Sequence, residues 1–226
     1  AGEVIKWRPM GNPLLRPFAP EDRTALRRLA VSTADRGNPS PGLAGDPALL
    51  ADLLTDYYAE KEPESLFIAE IDGAVRGYLT GCLDTRRYGR DMACRVVPRA
   101  VGRAALRGFF FRPAAWGLFA RLIRPGTPGN YRTPAILNRW PSHLHINLDP
   151  SARGRGVGKA LIERFLHHAR QKGSPGVHLA ARIDNPGALR FFSSAGFREE
   201  GRRPLPGLLP GEPPQHDVAL LVREIP

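Results

Sequence analysis

Residues 152 to 165 read ARGRGVGKALIERF, with Gly154, Gly156 and Gly158 at every second position among Arg153, Arg155 and Lys159, and an apolar-periodic run immediately after. That run predicts a helix. A helix leaves its first four N–H groups without intrahelical partners, and its aligned peptide dipoles put about half a positive charge at the same end. Glycines there let the main chain approach a ligand with no Cβ in the way, and the three cations add attraction for phosphate. The chemistry on offer is anion binding, on the scale of a polyphosphate. Just upstream, SHLHINLD alternates Leu144, Ile146 and Leu148 with His143, His145, Asn147 and Asp149. This is a strand by its period of two. Its polar face carries the candidates for moving protons.

Around this pair the chain orders itself as strand, helix, strand, helix. The central strand spans 142 to 149 and Pro150 closes it; a helix covers about 156 to 172, with Gly173 as its stop. GVHLAARI follows as a strand, then a helix over 186 to 194 opened by Asn185-Pro186 and closed by Gly196. Earlier, NPLLRPFA reads as a short strand feeding a helix through Leu26, Leu29 and Ala30. Residues 33 to 47 read as loop, and ALLADLLTDYYAEK as a second helix. SLFIAEI and AVRGYLTGCL flank Asp72-Gly73, a tight hairpin signal, so strands are expected at about 65 to 71 and 74 to 83. The stretch from 85 to 141 holds a helix around 93 to 110, the aromatic cluster FFFRPAAWGLF and a Pro/Gly/Asn loop. Its Phe109, Phe110, Phe111, Trp116 and Phe119 are expected to form a local core; exposed, they would imply self-association or a hydrophobic acceptor. The tail carries a Pro/Gly-rich loop at 204 to 214 and a last strand, HDVALLVREI.

Two nucleotide motifs fail against the glycine segment. The dinucleotide fingerprint needs G-x-G-x-x-G early in a βαβ unit, and the spacing here is G-x-G-x-G late in the chain. The Walker pattern needs Ser or Thr after Gly-Lys, and Ala160 follows Lys159. An RG-rich nucleic-acid segment is normally disordered, whereas this one is pinned between a strand and a helix carrying Leu161, Ile162, Phe165 and Leu166.

Arg153-Gly154-Arg155-Gly156-Val157-Gly158 resembles the [Q/R]-x-x-G-x-[G/A] signature of the GNAT superfamily of N-acetyltransferases, and the segment from Asn185 to Phe197 is similar to the family's N-x-x-A-x-x-F-Y-x-x-x-G-F pattern. The resemblance covers about 142 to 201, and more weakly SHLHINLDP is similar to bacterial acetyltransferases like the acetyltransferase-like region of O-GlcNAcases. It implies an α/β fold: a mostly antiparallel central sheet with one splayed parallel strand pair and flanking helices, here one domain over 1 to 226 with an insert at about 85 to 141. It also implies acetyl-coenzyme A as the acyl donor and a small-molecule or peptide amine as the acceptor, joined directly in a ternary complex.

Residue by residue, the resemblance puts the pantetheine arm along Ile146, Asn147 and Leu148, and the phosphates on the amides of Arg153, Gly154, Arg155, Gly156, Val157, Gly158 and Lys159. Asn185, Ala188, Phe191 and Phe192 lie beside the cofactor. The thioester carbonyl needs an N–H donor, which the strand near Asn147 or Leu148 can supply. His145 is the chosen base, since its position points to the acceptor side and an imidazole titrates near working pH; His143, Asp149 and the pair His216 and Asp217 are the other candidates. The family's tyrosine acid is Phe192 here, a departure that leaves Tyr131 as a replacement, an unaided thiolate, or a module that binds the cofactor without turnover.

Composition sets outer bounds. A hydrophobic fraction of 42% with 24% charged residues can build a core. The net charge of +11 prompts a search for polyanions, but only four of the 33 basic residues are lysine, an arginine bias that base composition also produces. Nucleic acid is therefore not the expected partner. With no long apolar run, no secretory leader at AGEVIKWRPM and only Cys82 and Cys94, the expectation is a cytoplasmic protein without membrane span, disulfide framework or metal site, able to form a homodimer.

Overall fold

The computed structural model describes residues 12–122, 133–209, 211–213 and 215–225. Its seven strands are β1 (Leu14–Pro17), β2 (Leu66–Ile71), β3 (Ala74–Cys82), β4 (Ser142–Leu148), β5 (Gly176–Arg182), β6 (Arg198–Pro206) and β7 (Gln215–Glu224). They form one sheet in the order β1-β2-β3-β4-β5-β7-β6. Only β4 and β5 run parallel; the other pairs are antiparallel. The α/β class with one parallel pair in a mixed sheet is the architecture expected from the sequence.

The hairpin between β2 and β3 turns at Asp72 and Gly73, whose φ values of 52° and 72° are those of a tight turn that follows the sheet's twist. β2 is buried on both faces because helices cover both. On one face Phe67 and Ala69 pack with Leu161 and Phe165 of helix α7 (Val157–Gln171). On the other, Leu66 and Ile68 pack with Leu26 and Leu29 of α1 (Arg23–Ser32) and Tyr57 and Tyr58 of α2 (Pro47–Lys61). Each large side chain fully withdrawn from water in this way stabilises the fold by about 1.5–3 kcal/mol.

Between β3 and β4 lie α3 (Thr85–Asp91), one π turn (Met92–Val96), α4 (Val97–Leu106), α5 (Pro113–Leu122) and α6 (Pro134–Arg139). The single helix expected at 93 to 110 is thus shorter and starts from a π turn. The aromatic cluster divides: Phe109 is buried, while Phe111 is 92% and Trp116 62% exposed. Arginines of α1 and α4 converge on α2, where buried Asp56 pairs with Arg23, Arg27 and Arg103 and buried Asp52 with Arg27 and Arg103. Part of the basic excess is therefore internal scaffolding. α8 (Pro186–Ser194) joins β5 to β6. β6 itself, REEGRRPLP, carries no apolar alternation because it is an edge strand whose side chains are mostly exposed or half-buried, and nothing in its sequence announced it. Among the described residues no helix is long and apolar enough to cross a membrane.

Candidate functional site

β4 and β5 pair only at Ser142 with Val177 and His143 with His178, then part. Past that point each strand keeps its other neighbour, β3 or β7, so one edge of each loses its ladder partner. Between the two edges opens a cavity of about 750 Å³, lined by residues 144–148 of β4, 179–182 of β5, the start of α7 and the length of α8. Residues 33, 34, 36 and 37, in the turn after α1, line it as well. Two unpaired strand edges facing one gap accept an extended ligand that supplies the missing main-chain partners.

The gap ends against the start of α7. Gly156, the residue before its first turn, has φ 76° and gives no side-chain cap, and the helical ladder begins with Ala160 N–H donating to Gly156 O at 3.0 Å. The first-turn amides at Val157, Gly158 and Lys159 are thus left for an external acceptor. Gly154, Gly156, Gly158 and Lys159 line the cavity; the Val157 side chain is buried in the core beneath it, and Arg155 is exposed outside the lining. Gly158 is glycine by packing: a Cβ there would stand 2.8 Å from Phe191 Cζ. Arg153 lines the cavity as well, with its guanidinium turned back on the main chain. Its guanidinium donates to Leu148 O at 3.2 and 3.1 Å and to Gly37 O at 2.6 Å, tying the end of β4 to the turn after α1.

The remaining candidates separate clearly. Ile146, Leu148, Ala188, Phe191 and Phe192 line the walls. Asn185 also lines the cavity, but its Oδ1 accepts from Ala188 N at 3.1 Å and caps α8. The Asn147 amide donates to Thr33 Oγ1 at 2.7 Å and to Thr33 O at 3.3 Å, so its side chain holds the turn after α1. His145 lines the cavity and is exposed, its ring edge-on to Tyr58 at 6.2 Å and to His143 at 5.6 Å. His143 is 1% exposed. Thr85 Oγ1 gives its one proton to Pro141 O at 2.7 Å, so His143 Nδ1 donates to Thr85 Oγ1 at 2.7 Å, and Nε2 shares a hydrogen bond with the Tyr58 hydroxyl at 2.9 Å. With both nitrogens engaged inside the core, His143 does not reach the cavity, and His145 is the histidine of this strand that lines it.

Asp149 is spent differently. The Ser151 hydroxyl and amide both donate to Asp149 Oδ1, at 2.5 and 2.9 Å, and hold its carboxyl below the usual carboxylate range. His216 and Asp217 open β7 away from the cavity lining; burial and then the nearby Arg182 charge pull the His216 pKa below the ordinary imidazole value. Tyr131 lies outside the described residues. Among the described residues no group of three or more His, Cys, Asp or Glu side chains could hold a metal ion.

A family model described as the acetyltransferase (GNAT) family matches residues 135–197, the segment that holds β4, the glycine turn, α7, β5 and α8. Over those residues the chain is similar to the GNAT family. Among curated relatives, the N-alpha-acetyltransferase RimI of Mycobacterium tuberculosis is 40% identical over 82 residues, 34% of this chain and 50% of that protein. Matched stretches take up between 16% and 50% of the curated relatives' own lengths. Among solved structures, that of SsHAT superposes with a TM-score of 0.69 at 29% identity, over 96% of this chain and 100% of that one. The yncA protein of Salmonella typhimurium, solved with its cofactor acetyl-CoA, superposes at 0.58 with 14% identity, over 96% and 95%, a likeness of fold.

Against the GNAT pattern, Phe192 stands where the superfamily signature has tyrosine, 8% exposed and packed edge-on to Phe197 at 5.8 Å. The turn formed by Thr33, Arg36 and Gly37 is the part of the cavity lining that the sequence did not announce. Its only sequence signal was a Gly- and Asn-rich loop, and its position over the cleft depends on contacts with Asn147 and Arg153 more than 110 residues away.

Proposed function

We propose that this protein is an acetyl-CoA-dependent N-acetyltransferase that passes an acetyl group to the amine of a small molecule or peptide in a ternary complex. The observation that carries this reading is the parting of β4 and β5 into a groove that ends on the uncapped first turn of α7. An extended arm suits the strand edges and a diphosphate suits the helix amides, so the groove fits a pantetheine and its phosphates together. The likeness to the N-alpha-acetyltransferase RimI supports transfer to nitrogen, and the likeness to the acetyl-CoA-bound yncA structure supports the same donor.

Bound acetyl-CoA supplies an activated acyl carbon and a thiolate leaving group. The chain's own residues do the rest. His145, exposed on the cleft side of β4, accepts the proton of the acceptor ammonium and so frees the amine lone pair. On the β4 edge the Asp149 N–H donates to Arg76 O of the β3 side, so by alternation the Leu148 main-chain N–H faces the gap, where it orients the acyl oxygen and stabilises charge that gathers there. Ile146, Leu148 and Phe191 keep water from the arm. Phe192 has no proton to give, so the thiolate takes one from solvent or leaves as the anion.

Phe192 favours one second reading, a module that binds acetyl-CoA without turnover. Free-thiol release from acetyl-CoA, followed against a panel of polyamines, amino acids, aminoglycosides and peptides, separates the two. Release that depends on one class of amine supports the enzyme; binding with no release above the buffer rate across the panel supports the module.

A further inference from the structure

We propose that the turn at residues 33–37 is a strap closing the open face of the β4/β5 gap, and that Arg36 and Asp184 form its releasable latch, which sets how long coenzyme A stays bound. The proposal rests on the groove being a coenzyme A site. Three contacts anchor the strap, and they reach both sides of the gap. On the β4 side, Asn147 holds Thr33 Oγ1 at 2.7 Å and Arg153 holds Gly37 O at 2.6 Å. On the β5 side, Arg36 Nη1 reaches Asp184 Oδ2 at 3.3 Å, just past the end of β5. A ligand lying between the strands is therefore roofed by the turn, whose Arg36 and Gly37 line the cavity.

The contacts differ in kind. On the β4 side Asn147 and Arg153 each make one short bond, at 2.7 and 2.6 Å. The one to Asp184 is long and lies between side chains 42% and 44% exposed, the class of ion pair that water screens and motion breaks at little cost. Asp184 stays in place when Arg36 leaves, because Arg182 grips it through Nε and Nη2 at 2.9 and 2.7 Å. Arg36 is also the strained element. Its φ of 54° lies in the left-handed region that a long side chain seldom adopts. Such strain at a cleft persists only while neighbouring contacts hold it, and the turn's own bonds, Gly37 N–H to Thr33 O and Asn38 N–H to Asp35 O, are local. Loss of the Asp184 contact frees the β5 side first.

The test uses a fluorescent coenzyme A analogue chased with unlabelled coenzyme A, alongside amide hydrogen exchange. In Arg36→Glu the analogue is expected to leave about ten times faster than from wild type and in Arg36→Ala about two to five times faster, the range of an exposed ion pair and its reversal; Arg36→Lys stays near wild type. The amides of Gly37, Asn38 and Ser40 exchange faster in Arg36→Glu without ligand, and Arg36→Glu with Asp184→Arg restores most of both effects. Dissociation unchanged in Arg36→Glu, or equal in the single and double variants, overturns the latch. If wild type takes up no analogue, the reading of the groove falls, and unchanged exchange at those three amides in Arg36→Glu then overturns the strap by itself.

Discussion

At position 145 an exposed imidazole stands on the cleft side of β4, two residues from a buried histidine with both ring nitrogens engaged. The difference comes from neighbours rather than from the strand: Tyr58 and Thr85 engage both nitrogens of His143, and in the proposed reaction the exposed His145 ring is the proton acceptor. His145→Ala is therefore expected to lower kcat by about 10²- to 10⁴-fold while leaving the acetyl-CoA dissociation constant unchanged, measured by thiol release and calorimetry on the same preparation. His143→Ala should instead act through stability. Gly158 gives a second residue-scale prediction. A Cβ at that position meets Phe191 Cζ at 2.8 Å and Leu148 Cδ1 at 3.3 Å, so Gly158→Ala overpacks the groove wall and costs about 1–3 kcal/mol, read as a lower urea midpoint.

Among the elements, β1 is bound to the turn ahead of α1 by Arg16, which donates to Asp22 at 2.6 and 2.7 Å. The Arg16 hydrogen bonds hold the Asp22 carboxyl below its ordinary value of 3.8. A carboxyl whose pKa is depressed in the fold adds stability above its unfolded pKa and loses it as pH falls through the folded one. The stability of wild type is thus expected to drop more steeply below about pH 4 than that of Asp22→Asn, followed by denaturant midpoints across pH 2.5 to 6. How far elements could be read from the sequence follows from what fixes them. α7, α8, β4 and the β2/β3 hairpin carry their own periodicity, caps and turn residues, so local chemistry announced them, and the glycine turn with them. β6 is charged and half exposed because, among the described residues, it pairs with β7 alone, and that partner lies past a loop. The turn at 33–37 has no pattern of its own either; it is held by Asn147, Arg153 and Asp184, which the chain supplies much later.

For the whole molecule, a net charge of +11 coexists with a core of arginine–aspartate pairs that binds the segment between β3 and β4 to the body. Asp56, 1% exposed, gathers Arg23 and Arg27 from α1 and Arg103 from α4. Removing it leaves cations with no counter-charge, and Asp56→Ala is expected to cost about 3 kcal/mol and loosen α4 before the sheet, visible as earlier hydrogen exchange over 97–106. The sheet, helices and turns otherwise serve one arrangement, a strand gap aimed at a helix start. Calorimetric titration of acetyl-CoA into wild type and Gly156→Glu tests that arrangement most directly, since the variant sets a carboxylate where the diphosphate is to rest. The account predicts saturable one-to-one binding to wild type and at least a hundredfold loss in the variant, with matching circular dichroism spectra. Equal affinity in the two proteins would contradict it.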